Sequence, residues 1–197
     1  SRCAIGAAVS TNISAISKAD VRFPTVLAAI HDPPQTIWIK GGVEALRAPS
    51  VAVVGSRAAS PYALEVARRQ GADLARRNVA VVSGMARGVD SAAHRGALEG
   101  GGITIAVFGC GVDVIYPPEH RGLAERIVER GALVSEFPPG MPPLKGHFPQ
   151  RNRIISGLSL AVVVVEAAEG SGSLITAEFA LDQGRTVLAV PGNVLGG

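Results

Sequence analysis

Aromatic side chains are scarce in this chain of 197 residues, at 4% against 47% hydrophobic residues in all, so its core must be aliphatic. Cysteine is scarcer still. Cys3 and Cys110 stand far apart, which excludes a disulfide framework and a cysteine metal array and fits a reducing cytoplasm. No apolar run approaches the ~20 residues that a membrane span needs. The first residues scatter their apolar side chains among Ser, Thr and Asn, unlike a signal peptide. Net charge is a mild +3, and lysine occurs only at Lys18, Lys40 and Lys145, so almost all of the 19 cations are arginines. Arginine pairs with phosphate oxygens through a planar fork and stacks on bases. GC-rich coding would produce the same composition, and both readings stand.

Several motifs are missing too. Without G-x-x-x-x-G-K-[ST] there is no P-loop for ATP hydrolysis. Without G-x-S-x-G there is no nucleophile elbow. His31, His94, His120 and His147 show no zinc-ligand spacing. Gly109-Cys110-Gly111 begins like a dinucleotide fingerprint, but Val114 takes the third glycine position. No catalytic residue, metal or cofactor is expected.

What is present is a rhythm. Short continuous apolar runs at 51–54, 79–82, 103–108, 132–135, 160–165 and 186–190 alternate with helical stretches at 61–78, 90–99, 118–130, 151–158 and 174–183. Continuous apolar strands are covered on both faces. The alternation predicts an α/β fold, a doubly wound, mostly parallel sheet flanked by helices. Residues 26–30 suit a helical turn or two and 36–39 a short edge strand. A Pro-rich loop is expected over 138–149.

Ligands of such sheets bind beyond the carboxyl ends of the strands. Here those ends are Gly55-Ser56-Arg57, Ser83-Gly84 leading to Arg87-Gly88, Gly109-Cys110-Gly111, and Gly170-Ser171-Gly172-Ser173. Turns of this kind need glycine whatever they bind, but four of them with Arg57 and Arg87 among them favour a phosphate-bearing ligand. The loop 145–153 adds Lys145, His147, Arg151 and Arg153 around Phe148. Cations grip phosphates while a ring stacks on a base, although Phe148 could equally plug the core beside Pro149. Arg68, Arg69, Arg76 and Arg77 lie on the outer face of the first long helix, where Glu65–Arg69 and Asp73–Arg77 have i,i+4 spacing, as a solvated, ion-paired face would. Asp90 and His94 share a helical face, either as a catalytic pair or, more ordinarily, as packed residues. Glu166 either anchors the following loop or acts on a ribose. Asp113 and Glu119 serve turns and helix starts.

The ordered segments 55–57, 83–90 with Ala93-His94, 109–113 with Tyr116-Pro117, 148–159, 171–177 and 190–193 resemble the DNA-processing protein A family, DprA or Smf. The resemblance covers about 22–195 and implies an extended Rossmann-like domain. It also implies single-stranded DNA as ligand, a role in DNA uptake and natural transformation, help in loading RecA, and homodimers with no enzymatic activity. By motif, Arg57 and Lys145 should grip phosphates and Phe148 should stack on a base. Arg87, Arg151, Asn152, Arg153, Ser56 and Gly84 should frame the groove. Gly170, Ser171, Gly172 and Ser173 should form a phosphate-binding loop. His120 departs from the Asn common in that family. Residues 1–21 are expected to be a linker or remnant of an upstream domain, and 22–197 the DNA-binding domain, truncated at its C-terminal end. The rival reading is a Rossmann-like enzyme that cleaves nucleoside monophosphates through Glu166, residues 170–173 and Glu178.

Overall fold

The computed structural model describes residues 12–192. Its strands are β1 (Ile13–Ser17), β2 (Thr36–Gly41), β3 (Ser50–Val54), β4 (Ala80–Ser83), β5 (Thr104–Val107), β6 (Ala132–Ser135), β7 (Ala161–Val164) and β8 (Thr186–Ala189). The helices are α1 (Thr25–Ala28), α2 (Pro61–Arg76), α3 (Val89–Glu99), α4 (Arg121–Arg130), α5 (His147–Gly157) and α6 (Gly172–Asp182). One sheet takes all eight strands in the order β1-β2-β6-β5-β4-β3-β7-β8. The six strands β3 to β8 pair in parallel, and β1 and β2 join antiparallel at one edge. The fold is the expected α/β architecture with Rossmann-like topology.

The strand order places the site. From β3 the chain winds outward through β4, β5 and β6, then returns to lay β7 on the other side of β3. The loops leaving β3 and β7 therefore diverge to opposite sides and open a crevice at the carboxyl ends, the usual ligand position in such sheets.

Aliphatic layers cover both faces. Ile37, Ile39, Ile105, Leu27 and Ile154 pack on one, and Val53, Val81 and Val163 meet the alanines of α2 and α3 on the other. Those two helices touch backbone to backbone. A Cβ at Gly96 would strike the Arg68 carbonyl, and one at Gly71 the Ala93 carbonyl. Helix α2 starts where Ser60 Oγ accepts from Ala63 N–H at 3.2 Å, with Pro61 in its first turn.

Four expectations need correction. Ile13–Ser17, placed in a linker, form an edge strand against β2. Only Ile16 of that strand is buried, so no apolar run marks it, and pairing with β2 creates it. Helix α5 begins at His147, not Arg151. Pro149 suggested a later start because the residue before proline avoids the helical region. A proline in the first turn, however, loses an N–H that had no helical partner. Strand β8 is not covered on both faces, since Leu188 is 52% exposed. On α2, Asp73 pairs with Arg76 at 2.9 Å, while Arg77 donates to the Asp73 backbone carbonyl. The face is ion-paired, as read, with Glu65–Arg69 formed at 2.6 Å as expected and only the partner of Asp73 different. The rest of 1–21 that precedes Asn12 lies outside the described residues.

Candidate nucleic-acid interface

The β3 turn is tied across the switch point. Ser56 N–H donates to Glu166 C=O at 2.7 Å, and Val89 N–H donates to Ser56 C=O at 3.2 Å. Beyond it lies a cleft of ≈ 360 Å³ walled by Ser56, Arg57, Asp90, Phe148, Arg151, Asn152, Ser171, Gly172, Ser173 and Thr176. That volume falls in the range of small-ligand sites. A narrower recess of ≈ 50 Å³ adjoins it, bounded by Arg57, Gly84, Arg87, Tyr116, Pro117, Phe148 and Arg151. Arg57, Phe148 and Arg151 border both.

Arg151 is the buried floor. It donates Nη1 to the carbonyls of Gly84 (2.8 Å) and Val107, and Nε to Asn152 Oδ1 at 3.2 Å. Beside it, Asp90 Oδ2 accepts from the N–H groups of Gly84 (3.0 Å) and Ala86 (3.3 Å). A Cβ at position 84 would lie 2.8 Å from both Arg151 Nη2 and Asp90 Oδ2, so any larger residue there would displace this buried pair. Burial pushes the Asp90 carboxyl up, opposed chiefly by the Arg151 charge. Burial pulls Arg151 down to about 10, still cationic at neutral pH. Arg151 thus supplies field to the cleft, with its Nη1 and Nε already committed to the protein.

Arg57 differs, being exposed on the cleft wall. Phe148 is half-buried in the first turn of α5. One ring edge lies against Gly109, where a Cβ would come within 2.9 Å, and Tyr116 is 5.5 Å away between centroids. The ring is partly plug and partly accessible wall, so the two readings of Phe148 describe different sides of one side chain. Opposite stands the N-terminus of α6. Asn152 Nδ2 donates to Gly172 C=O at 3.0 Å, and the Ser171 and Ser173 hydroxyls bond each other at 2.8 Å. The helix's first N–H groups add positive potential there. Gly170 makes the preceding turn at φ +71° and is not in the cleft wall.

Not every expected residue is brought together. Arg153 is buried elsewhere, forked onto Glu136 at 2.6 and 2.7 Å and bonded to Asp32, and it does not frame the cleft. Lys145 is exposed two residues before α5 and lies in neither recess wall. Arg87 borders the small recess and pairs with Glu119 at 2.6 Å.

The acid–base candidates hold structure. Glu166 accepts from Ser60 N–H at 3.1 Å and Ser60 Oγ–H at 2.5 Å, anchoring the start of α2. Asp90 and His94 bind different partners. His94 is fully buried, with Nδ1 2.6 Å from Thr104 Oγ1, and burial drives its pKa down to about 3. Asp113 accepts from Gly140 N–H at 2.8 Å, tying two loops together. Sequence reasoning passed over Tyr116 as a site residue and Glu119 as the partner of Arg87. Their signal was the loop 109–120, which follows a strand end like the others.

Residues 14–196 match the family described as DNA recombination-mediator protein A. The chain is 50% identical over 173 residues to Protein Smf of Escherichia coli, covering 87% of this chain and 46% of that protein. It is 46% identical over 177 residues to DNA processing protein DprA of Streptococcus pneumoniae, covering 89% and 62%. It therefore spans less than two thirds of either relative. The solved Streptococcus pneumoniae DprA superposes with a TM-score of 0.88 at 45% identity, over 93% of this chain and 64% of that one. The Helicobacter pylori protein, described for its unique single-stranded DNA binding mode, superposes with 0.85 at 29% identity, over 95% and 84%. A molybdenum cofactor binding protein from Rippkaea orientalis, at 22% identity and 0.54, shares the fold alone. With a family match running almost from end to end of its described residues, this chain belongs to the DNA recombination-mediator protein A family, DprA or Smf.

Proposed function

We propose that this chain binds single-stranded DNA in the cleft at the switch point, as part of a protein that protects incoming strands during DNA uptake and natural transformation. One observation carries the reading: an exposed arginine, Arg57, and a half-buried ring, Phe148, face one cleft across from the N-terminus of α6. Cation, ring and helix end suit a phosphate, a base and a second phosphate in succession. A duplex keeps its bases stacked inside and offers no flat face to Phe148, so unpaired strands are preferred. Lys145, before α5, adds a phosphate grip from outside the cleft wall. Arg87 takes a further phosphate, and Ser56, Gly84, Arg151 and Asn152 shape the floor. Of the expected loop 170–173, Gly172 and Ser173 at the start of α6 present N–H groups to a backbone phosphate, with Ser171 beside them in the cleft wall and Gly170 making the turn that leads in.

Loading of RecA, homodimerisation and a cytoplasmic location belong to the same proposal and rest on the family. Among the described residues no helix is long and apolar enough to cross a membrane. The domain is read as extending from residue 22 through the end of the chain, with the edge strand β1 joined to it. The binding reading is favoured over nucleoside monophosphate cleavage because Glu166, the carboxylate that reaction would need, is occupied by Ser60.

The test is a salt titration of binding to a labelled short oligothymidylate and to a duplex. Log affinity for the single strand should fall with log salt at about −0.7 per phosphate contacted. Arg57→Ala with Lys145→Ala should nearly abolish binding in a folded protein. Normal binding by that double variant defeats the site.

A further inference from the structure

We propose that Tyr116 is a second base-stacking platform beside Phe148, and that Glu119 is a resident counter-ion that DNA phosphate displaces from Arg87. This rests on the single-strand reading and extends it to a second nucleotide subsite, on the side of Phe148 away from α6.

Among the described residues, Tyr62 and Tyr116 are the exposed Phe, Tyr or Trp side chains. The Tyr62 hydroxyl donates to Pro191 C=O at 3.4 Å, away from the cleft walls. Tyr116 is 43% exposed, and its hydroxyl has no hydrogen-bond partner among the described residues. Its ring sits 5.5 Å from Phe148 at 39°, so the two rings make a continuous tilted surface. Arg57 and Arg87 border the recess that this surface walls. Ring and cations in alternation are how sequence-tolerant single-strand sites track a backbone. The recess is ≈ 50 Å³, well under the few hundred cubic ångströms of ligand pockets. A base therefore lies across Tyr116 and is not inserted behind it.

Arg87 is 61% and Glu119 50% exposed, joined at 2.6 Å between loops far apart in sequence. An exposed pair of this kind is weak. A strand phosphate can take the guanidinium from the carboxylate at little cost, and the released carboxylate then repels it. Without DNA the pair keeps Arg87 neutralised beside the recess.

The experiment measures affinity by fluorescence anisotropy for oligothymidylates of increasing length, with wild type, Tyr116→Leu, Tyr116→Phe, Glu119→Gln and Arg57→Ala, each checked for folding by circular dichroism. Loss of one stacked base corresponds to about 5- to 150-fold. Tyr116→Leu keeps apolar bulk against Phe148 and should lose about that factor on longer oligomers only, while Tyr116→Phe binds as wild type. Glu119→Gln should bind up to about 5-fold tighter. Tyr116→Leu equal to wild type at every length overturns the platform. Unchanged or weaker binding by Glu119→Gln overturns the counter-ion. Full affinity in Arg57→Ala instead defeats the underlying cleft reading, whatever the other variants do.

Discussion

Replacing Arg153 with leucine separates structure from DNA binding more sharply than any other substitution. The guanidinium donates two parallel bonds to Glu136, and the side chains are 8% and 10% exposed. Asp32, its other acidic contact, is 76% exposed and adds little. Deleting one member of a buried pair strands the other charge, at a cost of about 3–5 kcal/mol. For a domain of this size that lowers the thermal midpoint by about 6–20 °C, at roughly 2–4 °C per kcal/mol. Adding Glu136→Leu removes the stranded carboxylate and should recover most of the loss. Urea denaturation gives the stability of both variants, and anisotropy at low temperature gives their affinity for a short oligothymidylate. The expectation is a large stability loss, its rescue in the double variant, and unchanged affinity per folded molecule. A folded Arg153→Leu of near wild-type stability that no longer binds DNA would place the guanidinium in the groove and refute the reasoning.

Two further outcomes follow from groups that hold the fold. His94 has a folded pKa of about 3 against 6.5, so the unfolded chain takes up the proton first. Stability should be greatest above pH 6.5 and fall by roughly 2 kcal/mol on acidification to pH 5. In His94→Gln this dependence is missing, and a pH-independent gap between wild type and variant in urea melts would contradict the assignment. Glu166→Gln loses one of its two acceptors for Ser60 and should cost about 1 kcal/mol in the same melts. Single-strand affinity should not change. Release of free base from nucleoside monophosphates by wild type, lost in Glu166→Gln, would revive the enzymatic reading.

The α/β alternation was legible because buried parallel strands leave continuous apolar runs, and glycines at their carboxyl ends mark where the chain turns toward a ligand. Those local signals marked Arg57, Gly84 and residues 171–173 as neighbours of one crevice, since topology alone brings the ends of β3, β4 and β7 together. What the chain did not advertise was where each side chain of α5 is led by packing. Arg151 and Arg153 lie about 200° apart around the helix. One enters the floor of the cleft and the other a buried pair with Glu136. Edge strand β1 was hidden for a related reason: with only Ile16 covered, its pattern is weak until β2 is there to pair with. Composition and local patterning determined the layers of this protein and the rim where its ligand site lies. The packing of α5, and of the loops carrying Tyr116 and Glu119, decided which cations face that rim, because charge and period along a chain specify neighbours but not which neighbour a long side chain reaches.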